Sequence, residues 1–361
     1  MAPYVLAIKV LSVVILIVPV LFSNYVYAEP KYYYTGSKSN FKSSAINDSS
    51  TEQEEARVTT NVSSSSEKAV IIIFDRGDKT QFTNAKPILD KYGFKTSFFI
   101  ICSFIDGNGY YKLSNGTEIL DKSVTPMSWD QLRLLYKQNH DIESHGMEHR
   151  YLYNLSSSEA LEKEIAGSKE CLEDQDFKPT YFQIPFNRGA DNSTILKLIS
   201  EYYDFGLSGH SRLMFLNCDG WVNHGFKTKS YKYQYDCAPF SDQGIPTRTH
   251  KYAIREWSHD RFHSEINNKY PNLKPHGDNI SKILFNEFVN LVESQKQYND
   301  KAGRIVAIPV VGYHSIGNFY TYDTSPELFD MEMRYLYENG FKVLKLTDLG
   351  YNGTENYFYI K

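Results

Sequence analysis

The 361-residue sequence has little net charge, few cysteines, no internal repeat and no hydrophobic run long enough to cross a bilayer. Each of these absences narrows the range of functions. Lys and Arg number 39 and Asp and Glu 43, interspersed to a formal charge of -4, so no broad basic field exists to hold a nucleic-acid backbone. A small, neutral or sugar-like partner suits that balance better. The longest apolar stretch, Val10 to Phe22, falls short of the roughly 20 residues a membrane span needs. The four cysteines, Cys102, Cys171, Cys218 and Cys237, admit three pairings. Cys218 with Cys237 is the preferred one, since both sit in one irregular segment, and Cys102 at a strand end also reads as a buried thiol. What the chain does have is a hydrophobic fraction of 41%, ample for a sizeable core, and 29 tyrosines. Most tyrosines serve packing; some rings suit stacking on sugar faces.

Residues 1–28 read as a secretion signal: Lys9 gives the positive start, Val10 to Phe22 the apolar run, and Val26-Tyr27-Ala28 a cleavage site. Left uncleaved, the same segment is a membrane anchor. Either way the remainder is expected to be secreted or at the outer cell surface. Seven Asn-x-Ser/Thr triplets, beginning at Asn47, are compatible with glycosylation there. Residues 29–68 are Ser/Thr-rich and poor in aliphatics, and read as a flexible linker.

From Ala69 to the end the pattern is that of one α/β domain. AVIIIF is a buried strand, Thr80 to Tyr92 a helix that Pro87 threatens to kink, and Lys95 to Ile101 a second strand. Further strands are expected at Asp141–Ser144, Tyr181–Ile184, Arg304–Val311 and Phe341–Leu346, with helices between them. About 210–275 lacks a clear period and reads as an insertion. Strands alternating with helices imply a parallel sheet, and about seven βα units favour a barrel.

Chemistry-bearing residues stand at four strand ends, which a barrel would bring to one mouth. Asp75 and Arg76 end the first strand, and Asp75 is a candidate general base. His145 and His149, four apart in SHGMEH, would share one face of a helix and could hold a metal. Gln183 to Phe186 follow the fourth strand, and His314, a candidate general acid, follows an apolar strand. In SHDRFH, His259 and His263 flank Asp260 at a similar spacing. That cluster reads as a polar helical turn, because no third ligand stands at a usable distance in sequence.

These motifs resemble, in order, those of the polysaccharide deacetylases, the NodB-homology domain of carbohydrate esterase family 4. FDRG corresponds to the first motif, SHGMEH to the second, QIPFN to the third and GYH to the last. The resemblance implies a distorted (β/α) barrel and removal of N-acetyl groups from amino-sugar polymers. It implies a divalent metal, usually zinc, held by one Asp and two His, with Asp75 as base, His145 and His149 as ligands and His314 as acid. It places Gln183, Pro185, Phe186 and Tyr313 against substrate. The chain departs from the pattern at Arg76, where the metal-binding Asp is expected, at Gln183, where an Arg orients the base, and at Asn187 in place of a glycine. A guanidinium is permanently cationic and has no acceptor, so it cannot be a ligand. Three readings stay open: Arg76 pairs with Asp75 in the metal's place and leaves a carbohydrate-binding pseudoenzyme with no metal; Asp78 substitutes as third ligand; or Arg76 itself stabilises an oxyanion.

Overall fold

The first barrel strand, β1 (Ala69–Arg76), is apolar on both faces, as a strand buried between an interior and a helical layer must be. Ala69, Ile71 and Ile73 point into one cluster, with Phe99, Leu207, Ile254 and Val310. Val70, Ile72 and Phe74 point the opposite way, towards Leu89, Leu135 and Phe329 of the surrounding helices. The computed structural model describes residues 67–105, 110–112, 118–120, 125–216, 251–274, 276–317 and 323–361. The signal segment, nearly all of the 29–68 linker, and the Cys218–Cys237 pairing lie outside them. No helix among the described residues is long and apolar enough to cross a membrane.

Six further strands close the barrel: β2 (Ser97–Ile100), β3 (Asp141–Ser144), β4 (Tyr181–Gln183), β5 (Phe205–His210), β6 (Ile254–Ser258) and β7 (Val310–Tyr313). Each pairs in parallel with the next, and β7 returns to β1 with Ile72 opposite Val311. The result is the closed seven-stranded barrel anticipated above. An eighth strand, β8 (Lys342–Leu344), pairs with the start of β1, opposite Ala69 to Ile71.

The helices start where polar side chains can satisfy their first backbone N–H groups. Ser128 and Gln131 form a reciprocal capping box on α2 (Trp129–Lys137). Ser157 caps α3 (Ser158–Glu173), and Asn192 accepts from two backbone N–H groups of α4 (Ser193–Tyr202). The segment expected as one helix from Thr80 divides: Gln81–Ala85 is a wide π-type turn and α1 (Lys86–Tyr92) follows. Pro87 has no N–H to give to the ladder, so it is accommodated in the first turn of a new helix.

Three other expectations change. The insertion expected over 210–275 contains β6 and then α5 (His259–Lys269), capped by Ser258; residues 217–250 are outside the described residues. β6 has no clear strand signature in the sequence because its inward side carries Glu256 and Ser258, so its alternation looks polar. The strand expected over Arg304–Val311 is broken at Pro309, with Ala307–Ile308 pairing antiparallel to Met214–Phe215 and β7 beginning afterwards. Cys102 is not a free thiol: it is bonded to Cys171 of α3, with Cα atoms 6.4 Å apart, tying the turn after β2 to that helix. The remaining helices among the described residues are α6 (Asp278–Glu293), α7 (Lys296–Ala302) and α8 (Pro326–Glu338).

Candidate active site at the barrel mouth

Strand alternation sends Asp75 into the barrel, two residues beyond Ile73, and Gln183 into it from β4, two beyond Tyr181. Gln81, fully buried in the π-type turn, fastens the rim by donating from Nε2 to the backbone oxygens of Asp75 at 2.6 Å and His314 at 2.8 Å. Gln183 Nε2 donates to Asp75 Oδ2 and to Glu256 Oε2, at 3.1 Å each. One amide therefore spans two buried carboxyl groups. Burial is the main cause that lifts Asp75 to about 7; Glu256 pushes the same way, while His314, the Gln183 hydrogen bond and Arg76 oppose it. Burial likewise lifts Glu256 to about 7, against a 2.9 Å hydrogen bond from Asn187 Nδ2.

Glu256 is the residue that sequence reasoning missed. The available signal was the alternation of Ile254, Glu256 and Ser258, together with Gly312 on the next strand. A Cβ at Gly312 would lie 2.9 Å from Glu256 Oε2, so the carboxyl occupies space that only glycine leaves. Asn187, which stands where a glycine was expected, has φ 54, a left-handed conformation that asparagine tolerates.

His145 and His149 come together, with ring centroids 4.7 Å apart, though not by the expected route. No helix joins them; the segment is a loop in which Gly146 has φ 89 and His149 φ 56. Glu164 of α3 holds that loop, accepting from the backbone N–H groups of Glu148 at 3.1 Å and Arg150 at 3.3 Å. His145 Nδ1 lies 3.1 Å from the backbone oxygen of Gln183. Burial lowers His145 to about 3, helped by the charges of His314 and Arg76. Burial also depresses His149, which feels His145, Arg76 and His314 as well. Both imidazoles are therefore neutral.

Arg76 ends β1 with φ 75, a strained conformation for a long side chain. Its charge bears on Asp75, Asp78, His145 and His149 alike. Asp78 is occupied by its own turn: its carboxylate accepts from the backbone N–H of Thr80 at 2.8 Å and from the Thr80 hydroxyl, and it also bonds Ser315. It is engaged in closing its own turn, so the structure does not bring it up as a third ligand.

On the far side of the mouth, His314 Nε2 lies 3.6 Å from Asp75 Oδ2, and its Nδ1 lies 3.2 Å from Asp260 Oδ2. Burial alone would raise Asp260. Hydrogen bonds from His259 and His314, and their charges, overcome it and hold this carboxyl far below its ordinary range. His259 is opposed by burial and raised to about 9, chiefly by the charge of Glu332, 2.7 Å away. Tyr313, expected against substrate, is fully buried behind β7 and donates its hydroxyl to Glu332 at 2.8 Å. Adjacent residues of a strand face opposite sides, so Tyr313 and His314 cannot both enter the mouth. Pro185 is buried at the start of its turn. Phe186 is 44% exposed with φ 60, its ring 4.5 Å from that of His149.

Residues 63–203 match the polysaccharide deacetylase family model. The resemblance read from the motifs thus rests on the half of the barrel that carries Asp75, His145, His149 and Gln183. A Bacillus subtilis protein provisionally named polysaccharide deacetylase YxkH is 27% identical over 147 residues, 41% of this chain and 46% of its own length. The match thus spans about half of that relative. Among solved structures, the peptidoglycan deacetylase PdaC of Bacillus subtilis is 14% identical, with a TM-score of 0.39 over 78% of this chain and 89% of its own. The Xyl-CE4 domain of a xylanase from the hindgut metagenome of Trinervitermes trinervoides is 12% identical, with a TM-score of 0.43 over 78% and 88%. A mutant of a CE4 family pseudoenzyme with restored activity is 14% identical, at 0.43 over 78% and 66%.

Polysaccharide deacetylases generally depend on a metal, and the donor set at this mouth does not fit one. Two neutral imidazoles are present, but among the described residues no carboxylate joins them within ligand range to make a set of three. The guanidinium acting on both rings adds repulsion to that deficit.

Proposed function

We propose that this chain is an extracellular, carbohydrate-binding relative of the polysaccharide deacetylases, which takes N-acetylated amino-sugar polymers at its barrel mouth and has lost metal-dependent deacetylation there. The observation that carries this reading is Arg76, a permanent cation whose charge falls on both histidines of the second motif. Support for a sugar ligand comes from the composition of the rim. Phe186 offers an exposed ring for the apolar face of a pyranose, and it is bracketed by Tyr151, 5.8 Å away, and His149. Asp75 and Glu256, both near 7, offer carboxyl groups able to donate as well as accept hydrogen bonds from an amide or hydroxyl. The signal-like residues 1–28 and the Cys102–Cys171 bridge support an oxidising, extracellular setting.

A second reading, metal-free hydrolysis, is favoured by one observation: Asp75 and His314 remain paired at 3.6 Å, with His314 held by Asp260. In that reading Asp75 takes a proton from water as the water oxygen adds to the N-acetyl carbonyl, Arg76 balances the oxyanion, and the C–N bond then breaks as protonated His314 gives its own proton to the amine, leaving acetate. One experiment separates the two. Purified protein is titrated with chito-oligosaccharides by calorimetry, and acetate is assayed with added zinc and with chelator. Binding that survives chelator without acetate is the expected result. Chelator-resistant acetate release would establish the second reading, zinc-dependent release would overturn both, and absence of binding would remove the proposed ligand.

A further inference from the structure

The histidine pair His259 and His263, i and i+4 on α5, does not act as a pair. His259 turns to Glu332 and to Thr324 Oγ1, 2.8 Å from its Nδ1. His263 faces a different set: His276, whose ring centroid is 4.8 Å away, and Asp323, just before α8. One ligand atom from each of His263, His276 and Asp323 lies within 4.8 Å of the other two. We propose that these three residues bind a divalent transition metal, of which zinc is the expected occupant, in a site separate from the barrel mouth.

Three observations support the assignment. First, His263 and Asp323 are fully buried, and His263 Nε2 has no hydrogen-bond partner, a costly arrangement for a buried ring nitrogen that a cation would relieve. Second, His263 Nδ1 lies 2.6 Å from the backbone oxygen of Asp323. An imidazole that gives one N–H to a backbone carbonyl has its tautomer fixed and presents the other nitrogen as a lone pair, which is how metal-bound histidines are oriented. Third, the donors are two imidazoles and a carboxylate, a set that suits zinc and its borderline neighbours better than magnesium or calcium. The His276 side chain is 12% exposed, giving the ion a route in from solvent, and His276 Nε2 lies 2.7 Å from Asp323 Oδ1.

The site joins three separate stretches of chain: α5, the turn before α6, and the segment entering α8. Thr324, next to Asp323, also donates to Asp260 Oδ1 at 2.6 Å. A metal here would therefore brace the support behind His314 while having no part in the mouth's own histidines. The assignment does not depend on the proposed function.

The test is a metal count on full-length protein. Zinc-saturated, desalted wild type should retain about one ion per chain. That ion should persist in the double variant His145→Ala with His149→Ala and be lost in His276→Ala, whose fold is checked by circular dichroism. Wild type should also show a zinc-dependent rise in melting temperature that His276→Ala lacks. A wild type with no retained zinc and no zinc-dependent shift overturns the site. So does zinc that is lost from the mouth variant but kept by His276→Ala, since the ion then sits at the mouth.

Discussion

On the β6–β7 flank of the mouth, Asp260, His259, Glu332 and His314 form a buried cluster in which acid and base meet directly. On the β1–β3 flank, the charge of Arg76 falls on two imidazoles that burial keeps neutral, and Asp75, the carboxyl group beside Arg76 in sequence, is itself raised to about 7. The first flank has the completeness of a support that must keep one histidine in one orientation. The second has the residues of a metal site around a charge that a metal cannot share. A chain under pressure only to fold would have no need of either arrangement. A chain that retains a ligand cleft after losing a metal would keep the support and relax the ligand set.

Breaking the complete flank should have the largest effect. Asp260→Ala leaves His259 and His314 without their shared acceptor, and losing one member of a buried charged cluster costs about 3–5 kcal/mol. Urea unfolding at neutral pH measures it; a cost near zero would mean that the cluster is not formed. The pH dependence of stability should then separate the flanks. Asp75 and Glu256 are raised above their unfolded values of 3.8 and 4.5 to about 7, so the folded state binds the extra protons, and their contribution is lost as pH rises from about 4 to about 7. His259, raised from 6.5 to about 9, gives stability that is present below 6.5 and lost as pH climbs through 9. Asp75→Asn with Glu256→Gln should remove only the lower window, on the order of a few kcal/mol, and His259→Gln only the upper. Unfolding midpoints across both windows check this, and a variant that flattened both would deny that the flanks titrate separately.

Arg76→Gly should have a smaller effect, of opposite sign. Glycine adopts φ 75 without strain, so the variant should gain about 1 kcal/mol in thermal or urea unfolding, where a conventional loss of a side chain would cost stability. Phe186→Ala is the mildest: its exposed ring should leave stability unchanged while weakening oligosaccharide binding by about 1 kcal/mol in calorimetry.

Much of this was legible in the sequence, for identifiable reasons. β1 is apolar on both faces and so announced a strand between two layers; Asp75 and His314 follow such strands and so announced a mouth. β6 was not legible because its inward positions hold Glu256, whose partners come from β4 and the turn after it, and Ser258, which caps α5. The meeting of His145 and His149 was anticipated from a helix, yet the structure achieves it with a left-handed loop pinned by Glu164, across 14 and 16 residues of sequence, a contact that no local pattern encodes. Tyr313 was misplaced although the alternation of strand side chains was available to place it. Asp323 and His276 lie 60 and 13 positions from His263, and only the folded chain makes the three neighbours.

In the function proposed above, Arg76, and not a fault elsewhere in the barrel, excludes metal from the mouth. The most direct test is zinc affinity of the double variant Arg76→Asp with Gln183→Arg, built on His276→Ala so that only the mouth can bind. The account predicts that this protein binds zinc at least about tenfold more tightly than His276→Ala alone. Equal, negligible zinc binding by the two proteins would contradict it.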